Sequence, residues 1–404
     1  MHTSVVVIGG GQAGLAMSWW LTRAGVDHVV LERGVVGQSW RERRWHSLRL
    51  LTPNWMNRLP GAPDVGGDPD GYLGATAVVD LLDGYARSFA APVRPHTTVL
   101  GVRQTVAGFR VDTDGGPWRC RAVVVATGTE AESRIPALAA ELGGDLQQVA
   151  ALGYREPDQV APGAVLVVGA SASGVQIADE LRRAGRSVTL AVGDHVRVPR
   201  TYRGRDIYRW MDELGVLDER YDEVEDLARA RRLPSLQLVG TPERRSLDLA
   251  TLSAAGVQLT GRLVGVARGR ALFSGSLANF LKAGDLKQAR LLDRIDAHVG
   301  GGPVDRPGPT PLPAAVTELD LARFSAVVWA TGHRPRYPWL DPCLLDRRGA
   351  IRHEGGIMGR PGMYVLGLPF TRRRRSNLLA GVGPDAEALC GHLVEHLGRA
   401  RSAA

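Results

Sequence analysis

Cysteine, lysine and long apolar runs are all scarce in this chain, and each scarcity removes a class of function. Of 404 residues only three are cysteines, Cys120, Cys343 and Cys390, far apart and without a C-x-x-C. Neither a redox dithiol nor a zinc site is signalled, and the thiols read as buried groups in a reducing compartment. Lys282 and Lys287 are the only lysines among 50 basic residues. The net charge of +8 therefore rests on arginines scattered among nearby acids, and no nucleic-acid-binding module accompanies it. No apolar run approaches the ~18 residues of a membrane span. A first core strand starting at about Ser4 leaves no room for a signal peptide, so the cytoplasm is the expected location. A hydrophobic content of 44% and a charged content of 23% are ordinary for a globular chain. The length predicts two domains, each burying its own core.

What is present is organised around Val5-Val6-Val7-Ile8 and the glycines that follow, Gly9, Gly11 and Gly14. Four apolar residues predict a buried strand, and Leu15 to Ala24 predicts a helix. The spacing is G-x-G-x-x-G with Gln12 and Ala13 between the last two glycines. The first glycine permits a tight turn, the second lets backbone approach a pyrophosphate, and the third lets helix and strand pack closely. The helix N-terminus then offers free N–H groups and a positive dipole end to phosphate. A second apolar run, His28 to Leu31, ends in Glu32, followed by Arg33. An acid at that place accepts ribose hydroxyls and repels a 2′-phosphate. Strand, glycines, helix, strand and acid in this order point to a dinucleotide such as FAD.

A second run of the same kind begins at Ala164 to Val168 and continues Gly169-Ala170-Ser171-Ala172-Ser173-Gly174. Val175 to Arg183 predicts helix and Ser187 to Val192 strand. Ser171 replaces the middle glycine, small enough for phosphate and carrying a hydroxyl donor. The place of Glu32 falls at about Val192, which carries no charge, and Arg197 and Arg200 follow. A missing acid with arginine nearby suits the 2′-phosphate of NADPH; the alternative is that both are ordinary surface arginines.

Between and beyond these runs the patterns are plainer. Asp64 to Gly74 reads as an exposed loop. Thr76 to Phe89 has helical spacing, and 93–125 alternates in short runs like a small antiparallel meander. Ile207, Trp210, Met211 and Leu214 share one helical face, open to reading as a lid, a contact in a homodimer or core packing, with packing the ordinary case. Leu277 to Val299 predicts a longer helix, and Gly300 to Pro313 a Gly/Pro-rich linker.

Gly37-Gln38-Ser39-Trp40, followed by Trp45-His46-Ser47-Leu48-Arg49-Leu50-Leu51-Thr52-Pro53, resembles the flavin-containing monooxygenase superfamily, in its bacterial branch of single-chain FAD/NADPH flavoproteins. The likeness spans nearly the whole chain and is weakest over 201–320. It implies that the segment after Glu32 lies against FAD, with Gln38, Trp40, Leu50 and Thr52 in the flavin pocket and Val99 offering backbone to the adenine. It also implies a role for an asparagine near Asn54 in hydrogen bonding an oxygenated flavin, where the plain reading is a turn former. Ala126-Thr127-Gly128 and Ala330-Thr331-Gly332 match the two A-T-G turns that the family places around a second nucleotide fold. The implied architecture is an α/β protein with two Rossmann-like domains, an NADPH domain at 158–322 inserted in an FAD domain made of 1–157 and 323–404.

The likeness implies a reaction in which NADPH reduces flavin, O2 forms a C4a-(hydro)peroxide, and one oxygen atom enters a small organic substrate. Several residues depart from the family. His46 stands where many members carry Asp, and Leu368 where the wider class has an acid for the ribityl chain. The linker motif F-x-G-x-x-x-H-x-x-x-(Y/W) keeps only Tyr154, with Gly144, Leu146 and Ala150 at its other places, which argues against Baeyer–Villiger chemistry. The alternative class is an FAD-dependent NADPH reductase or oxidase without oxygen insertion. Near the end, Gly381-Val382-Gly383-Pro384-Asp385 predicts a helix start running through His392 and directed at the flavin. Arg372 to Arg375 reads as a solvated loop, or as a cationic rim that attracts an acidic substrate or NADPH phosphates.

Overall fold

The computed structural model describes residues 1–129, 132–302 and 305–402. The chain opens with β1 (Val5–Ile8), α1 (Gln12–Arg23), β2 (His28–Leu31) and the short α2 (Gln38–Glu42). Then come α3 (Ala75–Ser88), β3 (Val93–Arg94), the meander β4 (Val99–Thr105), β5 (Gly108–Thr113) and β6 (Trp118–Cys120), and β7 (Ala122–Val125). After β8 (Glu132–Ser133) and β9 (Gln147–Ala150) follow β10 (Ala164–Val168), α4 (Ala172–Arg183) and β11 (Val188–Ala191). The next stretch holds β12 (Val196–Arg197), β13 (Thr201–Tyr202), β14 (Arg205–Asp206), α5 (Ile207–Glu213), α6 (Leu227–Ala230) and β15 (Leu236–Gln237). It continues through α7 (Leu249–Ala254), β16 (Gln258–Thr260), β17 (Leu263–Ala267), β18 (Arg270–Phe273), α8 (Leu277–Val299), β19 (Glu318–Asp320) and β20 (Phe324–Trp329). The chain finishes with β21 (His333–Arg334), β22 (His353–Glu354), β23 (Ile357–Met358), β24 (Met363–Val365) and α9 (Leu379–Ser402).

Two mostly parallel sheets carry the molecule. The first has the order β22-β23-β24-β7-β1-β2-β3, and the second β16-β11-β10-β20-β9. Each is buried on both faces, which is why its central strands are continuous apolar runs. In the first, Val5 and Val7 face α1, α3 and α9 with Leu15, Leu21, Leu82 and Leu393. Val6 and Ile8 face the meander with Phe109, Val111 and Trp118. The second repeats this plan. Val165 and Val167 pack on Val175, Ala178 and Leu181 of α4, while Leu166 and Val168 pack on Leu263, Ala271 and Phe273 of a second antiparallel meander, β17-β18-β19.

The crossings between the sheets differ from the boundaries expected at 157/158 and 322/323. β9 and β20 both belong to the second sheet, where Trp329 pairs with Ala150 and Val168 with Trp329. The connecting segments pair with one another, β8 antiparallel to β21, with Arg334 opposite Glu132. Sheet membership therefore moves the exchange of chain to about 128–134 and 331–336. The Ala330-Thr331-Gly332 turn ends a strand of the second sheet instead of re-entering the first.

The helix at 207–213 resolves to packing: Ile207, Tyr208, Trp210 and Met211 are buried with Val198, Leu238, Leu292 and Ile295. Cys343 is exposed, against the expectation that all three thiols are buried.

Candidate functional site

Two cradles of one design lie at the carboxyl ends of β1 and β10. Gly9 has φ +111° and Gly169 φ +107°, a left-handed region that disfavours a side chain. A Cβ on Gly14 would overlap Gly9 O, and one on Gly174 would overlap Gly169 O. These glycines serve the packing of helix on strand. Gly11 differs, since a Cβ there would meet nothing within 4 Å. Neither Gly11 nor Ser171 caps its helix with a side chain, so the first N–H groups of α1 and α4 have no side-chain acceptor. That is the chemistry of a diphosphate site, and both cradles fit such a group.

Glu32 closes the first cradle. Its Oε2 accepts the Gly10 N–H at 2.6 Å and its Oε1 the Gly34 N–H at 2.9 Å. Each oxygen keeps a lone pair for a hydroxyl. Thr97 N–H donates to the Glu32 carbonyl at 2.8 Å, which brings the start of the meander, and so Val99, beside the acid. Ala126 and Thr127 back against Gly9, and Gly128 turns with φ +70°. Arg33 is exposed. Gln12 Nε2 donates to Asn377 O at 2.8 Å, and a Cβ on Gly367 would reach the Ala13 Cβ at 2.6 Å. The end of β24 and the turn before α9 thus lie against the start of α1.

The segment from Gln38 to Asn57 runs from this cradle to the core of the second sheet. Gln38 Oε1 accepts the Val35 N–H at 3.1 Å. Trp40 is half-buried beneath the Arg44 guanidinium, 4.6 Å from the ring centroid. Trp45 is buried in the second unit's core, edge-on to Tyr154. Ser47 Oγ and Tyr154 OH donate to the two oxygens of Glu180, at 2.6 and 2.9 Å. Burial, then Glu180, pushes the Tyr154 hydroxyl above its ordinary value. His46 faces Glu156 at 3.0 Å. Leu50 N–H is held by Leu73 O. Thr52 Oγ1 donates to Asn57 Oδ1 at 2.8 Å inside the protein.

Asn54, the expected flavin partner, donates its amide nitrogen to Asp68 O at 2.9 Å, tying down the 68–71 loop, while its Oδ1 is buried without a partner among the described residues. The buried asparagine of this segment is Asn57, which the sequence did not single out.

Arg197 and Arg200 require a correction. Arg197 is 3% exposed, with Nε on Asp248 and Nη1 on Asp285, both at 2.7 Å. Arg200 is fully buried, paired with Asp206 and donating to Leu51 O at 2.8 Å. Its guanidinium lies over the Tyr72 and Tyr208 rings, and Tyr72 OH donates to Asp206 at 2.7 Å. Two charges already neutralised in the interior are not open to a nucleotide phosphate. Arg200 instead ties the 50–52 segment to the second unit. No local pattern announces this, because Tyr72 and Asp206 are 134 positions apart.

The arginine run is also not a free rim. Arg374 pairs with Glu219, Arg375 with Asp212 and Asp218, and Arg372 donates to Gly355 O. It clasps the 212–219 segment. The helix after it begins at Leu379, so Gly383 and Pro384 lie inside α9 and not at its start. Gly383 O accepts from Trp20 Nε1 at 3.2 Å, and a Cβ there would meet Pro60. The buried acid below the clasp is Asp385, held 3.9 Å from Arg373, its carboxyl pushed up to about 6 by burial.

The family profile described as pyridine nucleotide-disulphide oxidoreductase matches residues 6–207. An uncharacterised CzcO-like oxidoreductase of Geobacillus kaustophilus is 31% identical over 397 residues, covering 97% of this chain and 98% of that one. The indole-3-pyruvate monooxygenase YUCCA4 of Oryza sativa is 27% identical over 418 residues, covering 97% and 87%. Among solved structures, a flavin-containing monooxygenase from Stenotrophomonas maltophilia superposes with a TM-score of 0.70 at 22% identity, covering 98% and 99%. The chain belongs to the pyridine nucleotide-disulphide oxidoreductase family, and is a flavin-dependent oxidoreductase that uses FAD and NADPH.

Proposed function

We propose that this enzyme is an NADPH-reduced, FAD-dependent monooxygenase that places one atom of O2 in a small organic substrate. The observation that carries it is the pairing of two complete diphosphate cradles with three isolated thiols. Cys120 and Cys390 are buried, their thiols pushed up to about 12 and about 11 by desolvation, and Cys343 stands alone at the surface. No C-x-x-C is present to carry electrons to a disulphide. The likeness to a YUCCA monooxygenase over nearly the whole chain supports the same reading.

In this reading the first unit, about 1–129 and 335–402, binds FAD, and the second, about 135–332, binds NADPH as an insertion. Glu32 takes the adenosine ribose hydroxyls, which an unphosphorylated ribose offers. The α1 N-terminus at Gly11, Gln12, Ala13 and Gly14 takes the diphosphate. Trp40, Leu50 and Thr52 line the flavin ring site, held by Arg200 through the Leu51 carbonyl. Gly169, Ser171, Ala172, Ser173 and Gly174 take the diphosphate of NADPH. Bound FAD supplies the redox chemistry, accepting a hydride from NADPH and activating O2. The protein's part is to hold both nucleotides and to keep water from the ring through buried Thr52, Pro53, Met56 and Asn57. Free thiols suit a cytoplasmic location.

The test is oxygen accounting. With ¹⁸O2, NADPH and a panel of amines, sulfides and α-keto acids, one label should enter the product of a coupled substrate, and peroxide release should fall below NADPH use. Peroxide equal to NADPH consumed with every compound would instead establish the oxidase or reductase reading.

A further inference from the structure

With Arg197 and Arg200 buried in ion pairs, the 2′-phosphate of NADPH needs another reader, and the carboxyl edge of the second sheet supplies one. β11 and β16 run parallel with Ala191 opposite Thr260, and Val192 N–H donates to Thr260 O at 3.0 Å. The two strands therefore release Gly193-Asp194 and Gly261-Arg262 side by side. This is the edge where the adenosine ribose of a dinucleotide lies when its diphosphate sits on the neighbouring helix N-terminus.

Arg262 is built into that edge. Its backbone N–H donates to Ser274 Oγ at 3.1 Å, and its carbonyl accepts from Ser274 N–H at 2.8 Å. Gly261 must be glycine, since a Cβ there would overlap Ser274 O. The guanidinium lies over the Phe280 ring, 5.1 Å from the centroid. A Cβ on Gly193 would come within 3.3 Å of Arg262 Nε, so that glycine leaves room for the side chain. Ring and backbone fix the plane and leave the edge of the guanidinium outward. Its Nη2 reaches Asp194 at 3.1 Å, in a pair that is 52% and 70% exposed.

We infer that Arg262 receives the 2′-phosphate of NADPH and that Asp194 competes with that phosphate for it. The inference rests on the second cradle being the NADPH site. An exposed ion pair contributes little by itself, so Asp194 gives way readily. A phosphate dianion is a stronger, bidentate partner for the same fork. Asp194 then sits close to the incoming charge and tempers the preference. The pair thus sets how strongly NADPH is chosen over NADH. An acid two places beyond Val192, counted from sequence alone, would be taken for an NADH signal; its pairing with Arg262 reverses that.

Binding of NADP⁺ and NAD⁺ to the oxidised holoenzyme, followed by calorimetry, tests this without turnover. Arg262→Gln, which keeps the length of the side chain over Phe280, should lose NADP⁺ affinity about tenfold to a hundredfold and leave NAD⁺ within about twofold. Arg262→Lys should recover part of the loss, and Asp194→Asn should tighten NADP⁺ alone. Equal loss of both nucleotides in Arg262→Gln, or no loss of either, would overturn the assignment. Ser171→Asp separates this from the cradle reading: aspartate suits a helix N-cap but repels a diphosphate. It should weaken both nucleotides, and if it weakens neither, the second cradle is not the NADPH site whatever Arg262 does.

Discussion

In the first cradle Glu32 lies behind Gly10, where a Cβ would come within 3.0 Å of the Glu32 Cβ. In the second, Ala170 stands in the place of Gly10 and Val192 in that of Glu32. The methyl group fills the space the carboxylate would need, and Val192 is wholly buried. Both cradles keep the two glycines that packing demands, Gly9 with Gly14 and Gly169 with Gly174. They diverge at Gly11, where a Cβ would meet nothing within 4 Å, and Ser171, whose hydroxyl donates to the Ser235 carbonyl at 3.0 Å. One supersecondary plan thus holds its packing positions constant and varies the positions that the proposed function gives to the nucleotide. Under the proposed function, the difference between an acid and a valine is a difference in which ribose is accepted.

The largest effect should come from the positions the cradles share. Gly14→Ala and Gly174→Ala drive a Cβ into backbone, which cannot yield as a side chain would, and should cost on the order of 3 kcal/mol or more. Soluble yield and urea midpoints should fall for both. A Gly14→Ala protein as stable as the parent would show that helix and strand are not in the described contact.

Next in size is the buried Arg200–Asp206 pair, which holds Leu51 and Tyr72. Arg200→Met leaves the Asp206 charge without its cation, held only by the Tyr72 hydroxyl and the Tyr208 N–H, a loss of roughly 3 kcal/mol, readable by denaturant unfolding. The preference for NADP⁺ over NAD⁺ should survive it. A collapse of that preference would return Arg200 to the nucleotide site.

A smaller change should exchange the character of the cradles. Val192→Glu alone should be poorly tolerated, because Ala170 blocks the carboxylate and leaves it buried without a donor. Paired with Ala170→Gly, which removes the methyl group and gives the carboxylate the room it has beside Gly10, it should fold. The double variant should move affinity from NADP⁺ toward NAD⁺ by about tenfold or more. If the single and double variants behave alike, the pairing of positions 170 and 192 is not what selects the ribose.

The last effect, read in the pH dependence of stability, belongs to Asp385, outside both cradles. Burial raises its carboxyl to about 6, opposed by Ser376, Arg373 and Arg372. The folded state therefore holds the proton more tightly than the unfolded chain, whose carboxyl titrates near 4. Between pH 4 and 6 the folded state binds more protons, so this group's contribution to stability falls as pH rises through that window. Asp385→Asn should remove that fall and gain on the parent by about 1–3 kcal/mol between pH 4 and 8. Parallel pH–stability curves for the two proteins would place the titration elsewhere.

The first unit was more legible in the sequence than the second, for physical reasons. β1, α1 and β2 were readable because a strand buried on both faces is a continuous apolar run, and the glycines interrupt it at fixed spacing. The first meander was readable from alternation. The second, β17 to β19, packs on its sheet in the same way, yet it was missed because α8 and a long loop separate β18 from β19. The extent of the second unit was misjudged for a similar reason. β20 and then β9 extend its sheet beyond β10, and a four-residue strand leaves no mark at 147–150. Arg197 and Arg200 misled because an arginine's sequence position says nothing of whether Asp248, Asp285 or Asp206 already holds it. Arg262 went unremarked because it follows a different strand, and only the parallel register of β11 and β16 brings it to Asp194.

The division of labour between the cradles is tested most directly by flavin content and NADP⁺ affinity measured together on Gly11→Leu and Ser171→Asp. A Cβ at position 11 would meet no protein atom within 4 Å, so a leucine there tests the proposed diphosphate site without a clash at its Cβ. Gly11→Leu should purify folded and colourless, while Ser171→Asp should keep about one FAD per chain and lose NADP⁺ binding. A yellow Gly11→Leu protein with full flavin, or a Ser171→Asp protein that sheds flavin and keeps NADP⁺, would contradict the assignment of FAD to the first cradle and NADPH to the second.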